Sequence, residues 1–182
     1  MPAIDRTPAQ SQLSTVTIQG GLDALCRAAG ATGELLGSIS GSRADVPVPG
    51  LAWTVAETAA HLVALLRQSA AFVSGARDGA AERVALPASG GVGERMAIGN
   101  ARELDRFGER RIPVLRQLLE SSAEEYATLI AAHRDGGPVE TLFGPEDPAA
   151  MTAALVGEQL VHGFDLARAV GRRWTIAPTR PG

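Results

Sequence analysis

Residues 54–76 read TVAETAAHLVALLRQSAAFVSGA and carry the strongest helix signal in the chain. Thr54 and Glu57 have the spacing of a capping box, in which each side chain satisfies a free backbone N–H at the start of a helix. Alanine and leucine, which favour helix, fill most of the positions that follow. The pattern predicts a helix from Thr54 to about Ala76, with Asp78 and Gly79 as its stop.

Three other parts of the chain have helical patterns, which cover residues 21–39, 95–134 and 148–170. Within residues 95–134, Pro113 lacks a backbone N–H and clashes with the preceding turn, so we expect one long helix or two collinear ones with a break near Arg111. Gly171 ends the last segment. The loop before that segment is rich in proline, and no part of the chain shows the alternation of a strand. These patterns predict an all-α bundle.

The domain organisation follows from length and composition. The chain has 182 residues, of which 45% are hydrophobic and 20% are charged, with a net charge of -3. This suits one globular domain rather than two. Residues 1–17 are polar, contain two prolines and have no periodic apolar face. We interpret them as a flexible N-terminal tail and residues 18–182 as a single helical domain.

Several classes of protein are disfavoured by composition. All 17 basic residues are arginine and acidic residues outnumber them, so nucleic acid is not an expected partner. The single cysteine, Cys26, excludes an internal disulfide and a zinc site built from several cysteines. No apolar run approaches the ~20 residues that cross a bilayer, and the first residues lack the pattern of a signal peptide. We expect a cytoplasmic protein with no membrane partner.

The last helical segment places ionisable side chains on an apolar face. At 100° per residue, one stripe carries Met151, Leu155, Glu158, His162, Asp165 and Ala169. Buried carboxylates need compensation, and a glutamate and a histidine at i and i+4 can ligate one metal ion together. The other histidines are His61, in the middle of the helix predicted above, and His133, at a helix end. His61 is therefore the candidate third ligand.

A set of His61, Glu158 and His162 would hold a zinc-type divalent ion with a position open for water or substrate. Asp165, one turn beyond His162, would orient a ligating histidine or contact the bound water. Each residue also has a simpler interpretation. Glu158 and His162 would form only an i,i+4 hydrogen bond, and His61 would be a core histidine that bonds to a backbone carbonyl.

Two segments resemble the signatures of a known family. WTVAETAAHL, residues 53–62, resembles the W-T-V-x-D/E-x-x-x-H-L signature of the mycothiol-dependent maleylpyruvate isomerase N-terminal domain, which belongs to the DinB-like superfamily. EQLVHGFDLARAVG, residues 158–171, resembles the second signature, E-x-x-x-H-x-W/F-D-L/I-A-x-A-x-G. The resemblance extends over about residues 20–178. It implies an up-down-down-up four-helix bundle that binds a divalent metal, usually zinc, through His61, Glu158 and His162.

The resemblance also implies a chemistry. The family's characterised member uses its metal to activate the thiol of mycothiol, which attacks an unsaturated acid. We therefore expect a thiol-dependent transferase or isomerase acting on a small electrophile, with mycothiol as cosubstrate and with Asp165 and Arg168 as catalytic residues. Arg168, near Asp165 on the helix, would hold a substrate carboxylate.

The sequence is also compatible with other functions. The two-domain isomerase carries a further C-terminal domain that this sequence of 182 residues lacks, so maleylpyruvate isomerisation itself is not the expectation. A hydrolase using zinc-bound water is one alternative. A noncatalytic metal-binding or interaction module, forming a homodimer through one face of the bundle, is another. A zinc anti-sigma factor is disfavoured because such proteins use paired cysteines with a histidine.

Overall fold

The computed structural model describes residues 8–75, 91–133, 137–141 and 144–176. The helices are α1 (Pro8–Gly37), α2 (Val55–Ser74), α3 (Val92–Phe107), α4 (Ile112–Ala132) and α5 (Pro148–Ala169), with a single 3-10 turn at Gly41–Arg43. The strands β1 (Val139–Thr141) and β2 (Gly144–Glu146) pair antiparallel, with Glu140 opposite Pro145. The protein is thus mostly helical, and the predicted all-α fold class is confirmed.

Four of the helices form the bundle. α1 packs against α4 and α5, and α2 packs against the same two helices, so the four surround one core. Helix α3 packs on α2. The largest fully buried side chains come from all four bundle helices: Leu25, Leu36, Leu62, Leu66, Leu115, Leu119, Tyr126, Ile130, Gln159 and Leu166. This packing brings α2 beside α5, the two helices that carry the candidate ligands.

Helix α2 begins as the sequence predicts. The Thr54 side chain accepts a hydrogen bond from the backbone N–H of Glu57 at 3.3 Å, and the Glu57 carboxylate accepts one from the backbone N–H of Thr54 at 2.8 Å. The helix ends at Ser74, slightly before the predicted Ala76, because Gly75 adopts a left-handed conformation with φ 65°. The predicted stop at 78–79 lies outside the described residues.

Helix α1 begins at Pro8, well before Gly21, where the apolar pattern starts. Proline suits the first turn of a helix, because its missing N–H is not needed there. The polar segment before Gly21 has no apolar periodicity, so its helical conformation gave no signal in the sequence. Residues 1–7 lie outside the described residues, and the flexibility of the 1–17 tail stays a prediction.

The break between α3 and α4 confirms the prediction of a break near Arg111. α3 ends at Phe107 because Gly108 is left-handed, and Arg111 is the N-cap of α4. Pro113 lies in the first turn of α4, where proline is tolerated, rather than inside a continuous helix. α3 starts at Val92, slightly before residue 95, and residues 76–90 lie outside the described residues.

The β1–β2 pair was not predicted, and the expectation of no strand was wrong. Each strand has only three residues, too few for an alternating pattern to be recognised. Val139 of β1 is buried, and β1 packs against α2. The last helix ends at Ala169, followed by left-handed Gly171, close to the prediction. None of the described helices combines the length and apolar character that crossing a membrane requires.

Candidate metal centre

His61 comes from the middle of α2, and Glu158 and His162 come from neighbouring turns of α5. The capping box fixes where α2 starts, and the packing of α2 against α4 and α5 buries the face that carries His61. His61 is 3% exposed, whereas the Glu158 side chain is 44% exposed. The centre therefore has one buried wall on α2 and one side that solvent or a substrate can reach.

Both imidazoles direct Nε2 at the same carboxylate oxygen. Nε2 of His61 lies 3.5 Å from Oε2 of Glu158, and Nε2 of His162 lies 3.3 Å from the same atom. The ligand atoms of the three residues all lie within 4.8 Å of one another. Zinc binds nitrogen and carboxylate oxygen at about 2.0–2.2 Å in tetrahedral geometry, which separates ligand atoms by roughly 3.3–3.6 Å. The three residues therefore fit a divalent ion in donor type, and both nitrogen–oxygen distances to Glu158 match this spacing.

The carboxylate of Glu158 is ionised throughout the neutral range. Hydrogen bonds from His162 and then His61 lower its pKa to about 2, against the opposing effect of burial. An ionised carboxylate is the form that ligates a cation. The electrostatics of the centre thus favour a bound positive charge, whether a proton on His162 or a metal ion.

His162 experiences opposing effects. Burial, the largest single effect, lowers its pKa, but the neighbouring carboxylates of Glu158 and Asp165 together outweigh burial and raise the pKa above its usual value. These carboxylates favour a proton on His162, so a metal ion that binds its Nε2 must displace a proton.

Asp165 lies on the far side of the His162 ring. Its Oδ2 is 3.4 Å from Nδ1 of His162, and that nitrogen is buried and makes no well-aligned hydrogen bond among the described residues. An aspartate in this position favours a proton on Nδ1, which leaves the Nε2 lone pair free for a metal. The structure therefore brings Asp165 to the place that the sequence predicted for a group orienting a ligating histidine.

Arg168 has a different setting. Its Nη2 donates a hydrogen bond to the carbonyl oxygen of Pro49 at 3.3 Å, which ties α5 to the loop preceding α2. The hydrogen bond of Arg168 is thus made to this loop and not to the three candidate ligands. The role of Arg168 in holding a substrate carboxylate stays a prediction.

Trp53 is a member of the centre that the sequence did not identify as one. Its ring centroid lies 4.7 Å from that of His61 and 6.2 Å from that of His162. Trp53 stands immediately before the N-cap of α2, so helical periodicity could not place its side chain. Its place as the first residue of the segment that resembles the family signature was the available signal.

Comparison with known proteins agrees with the resemblance. A family model described as the mycothiol maleylpyruvate isomerase N-terminal domain matches residues 25–167. The matched range contains His61, Glu158, His162 and Asp165. Neither a search of curated proteins nor a search of solved structures finds a match to this chain.

Proposed function

The chain belongs to the mycothiol maleylpyruvate isomerase N-terminal domain family, and on that premise we propose that it is a metal-dependent enzyme using a small-molecule thiol. The reaction would be a transfer or an isomerisation of a small electrophile, with mycothiol as the thiol. The observation that carries the proposal is the convergence of two imidazole nitrogens on one ionised carboxylate oxygen, at spacings suited to a divalent ion.

Each residue of the centre has a defined part in this proposal. His61, Glu158 and His162 would hold the ion, and three protein ligands are the number typical of catalytic rather than structural zinc sites. When bound, a zinc-type ion supplies Lewis acidity that keeps a thiol deprotonated at neutral pH. Asp165 would hold the proton on Nδ1 of His162. The exposed side of Glu158 leaves room for thiol and electrophile to approach.

The family supports a thiol as the nucleophile, and the donor set by itself also suits zinc-bound water. A hydrolase and a noncatalytic metal-binding module are therefore the competing functions. Thiol affinity separates them from the proposal, because only the proposed enzyme needs the metal-loaded protein to bind a low-molecular-weight thiol.

The test begins with elemental analysis and zinc titration of the purified protein. We expect one ion per chain in the wild type and no stoichiometric zinc in His162→Ala. His133→Ala is the matched control, because His133 caps α4 and its Nε2 donates to the carbonyl of Gly137. Full zinc content in His162→Ala, or equal loss in both variants, would contradict the assignment of the ligands.

Mycothiol is then titrated by calorimetry into the zinc-loaded and metal-free proteins. Binding that depends on zinc, followed by consumption of thiol with a panel of small electrophiles, is the expected result. Zinc without thiol binding would favour a hydrolase or a binding module. Hydrolysis of activated esters by the zinc-loaded wild type would then support the hydrolase.

A further inference from the structure

Trp53 packs against both candidate histidine ligands at once. Its ring plane is tilted by 43° to that of His61 and by 51° to that of His162, at centroid distances of 4.7 and 6.2 Å. The two imidazoles lie edge to face at 86°, with centroids 5.4 Å apart. Three rings thus form one cluster, and two of its members present Nε2 to Glu158.

The loop that carries Trp53 is joined closely to the start of α2. The carbonyl oxygen of Trp53 accepts a hydrogen bond from the N–H of Val48 at 2.9 Å. The N–H of Val55 donates to the carbonyl of Val46, also at 2.9 Å. These bonds fold the loop back on itself on both sides of Thr54, so the backbone that carries the indole is fixed relative to α2.

The same loop region is tied to α5 by two arginines. Nη1 of Arg43 donates to the carbonyl of Val170 at 2.9 Å, and Nη2 of Arg168 donates to the carbonyl of Pro49 at 3.3 Å. The loop that carries Trp53 is therefore joined to both helices that supply ligands, to α2 through the chain and to α5 through these contacts.

An imidazole can ligate a metal only if its ring is turned so that the lone pair points at the ion. Rotation about the bond between Cβ and the ring is restricted by packing against a neighbouring ring. For His162, Asp165 provides a second restraint at Nδ1. Trp53 is the ring that contacts both His61 and His162 and so can restrain the two together.

We propose that Trp53 is a positioning residue of the metal site: its indole packs against His61 and His162 and keeps both Nε2 atoms turned toward Glu158. This inference rests on the proposed metal site. Trp53 would act through the two imidazoles and not as a ligand, because indole offers no lone pair suited to metal binding.

The test measures the affinity for Co²⁺ and the visible absorption spectrum of the Co²⁺-loaded protein, which reports coordination geometry. In Trp53→Ala we expect affinity to fall about 10- to 100-fold, the usual effect of removing a group that orients a ligand, and the Co²⁺ absorption bands to shift. Trp53→Phe retains an aromatic ring at this position and should restore most of the affinity and the wild-type spectrum.

Phe107→Ala is the matched control, since Phe107 is a half-buried aromatic on α3 that lies under the Arg67 guanidinium and is not one of the described rings that pack against His61 and His162. It should lower the melting temperature without changing affinity or spectrum. Unchanged affinity and spectrum in Trp53→Ala, or equal changes in Phe107→Ala, would overturn the positioning role.

Circular dichroism establishes that each variant is folded before metal is added. If Trp53→Ala does not fold, Trp53→Leu replaces it, because leucine fills apolar space without a ring and should show the same loss of affinity. Absence of Co²⁺ and Zn²⁺ binding in the wild type would refute the proposed function itself. Normal binding in the wild type together with normal binding in the Trp53 variants would refute only this inference.

Discussion

Replacing Asp165 tests whether metal binding depends on residues other than the three candidate ligands. Its Oδ2 lies 3.4 Å from Nδ1 of His162, so it influences which ring nitrogen carries the proton. Removing such a partner of a ligating histidine typically weakens metal binding by about 10- to 100-fold. We expect this loss in the zinc affinity of Asp165→Ala, measured by competition with a chromophoric chelator.

Glu34→Gln is the control for the Asp165 variant, since Glu34 is an exposed carboxylate on α1. It removes the same negative charge from the protein without touching the centre, and we expect wild-type affinity. An Asp165 variant that binds zinc as tightly as Glu34→Gln would show that Asp165 does not act on His162.

Gly163 on α5 is required by close packing. A Cβ atom at this position would lie 2.5 Å from Cζ2 of Trp174 and 3.0 Å from Oγ1 of Thr32. Both neighbours are held in the packed interior, since Thr32 is fully buried and Trp174 packs against the core. We expect Gly163→Ala to lower the free energy of unfolding by about 1–3 kcal/mol in urea denaturation.

Gly157 provides the comparison within the same helix. Nothing lies within 4 Å of a Cβ built there, so alanine should stabilise α5 by about 0.5–1 kcal/mol through its higher helix propensity. Opposite signs for the two alanine variants are the expected outcome. If Gly163→Ala were as stable as Gly157→Ala, the contact between Trp174 and α5 would be absent in solution.

At the scale of single elements, the start of α2 is held by its capping box. Replacing an N-cap threonine by alanine costs about 0.5–2 kcal/mol, because a backbone N–H loses its acceptor. We expect Thr54→Ala to lower the free energy of unfolding by about 1 kcal/mol. Thr54→Ser should lower it by much less, because serine can accept the same hydrogen bond. Thr128→Ala is the control, since Thr128 is exposed within α4 and its hydroxyl donates to the carbonyl of Glu124 in the preceding turn.

The capping box also gives a pH dependence with a definite sign. The backbone N–H of Thr54 lowers the pKa of Glu57 below its ordinary 4.5. A carboxylate whose pKa is lower in the folded state stabilises the fold above its unfolded pKa and loses that contribution as pH falls through its folded pKa. The destabilisation caused by Glu57→Gln should therefore shrink as urea denaturation is moved from pH 7 to below 4.5. Destabilisation that does not change with pH would contradict this account.

Elements whose signals are local were predictable, and those set by distant contacts were not. The capping box at Thr54 and the break before Pro113 depend on a few adjacent residues, so the sequence was sufficient. The β1–β2 pair packs on α2, which is distant in sequence, and the early start of α1 has no apolar pattern to reveal it. Both were missed for that reason.

For the molecule as a whole, the sequence predicted the candidate ligands but not the full arrangement of side chains around them. Glu158 and His162 follow from i,i+4 spacing on α5, and His61 follows from elimination among the three histidines and from the family resemblance. That the three side chains lie together depends on the packing of α2 beside α5, which the sequence does not give. The ring contacts of Trp53 depend on how the loop before α2 folds back, which no periodicity encodes. A cytoplasmic location and a homodimer stay predictions.

Metal binding should stabilise the entire fold, because its ligands lie on two helices that are far apart in sequence and close only when the bundle is formed. A ligand that binds only the folded state raises the free energy of unfolding by about 2.7 kcal/mol when its free concentration is 100 times its dissociation constant. For a domain of this size, 1 kcal/mol corresponds to roughly 2–4 °C in melting temperature. Zinc at that concentration should therefore raise the melting temperature by roughly 5–11 °C, and a chelator should reverse the shift.

The change in melting temperature also distinguishes a metal ion bound by both α2 and α5 from one bound by α5 alone. Glu158→Gln and His61→Ala remove ligands from α5 and α2 respectively, and both should abolish the shift although each leaves two candidate ligands in place. A shift that survives in His61→Ala would mean that zinc binds α5 alone. The metal would then not connect α2 to α5, and the bundle would owe its stability near the centre to packing and to the contacts of the Trp53 loop.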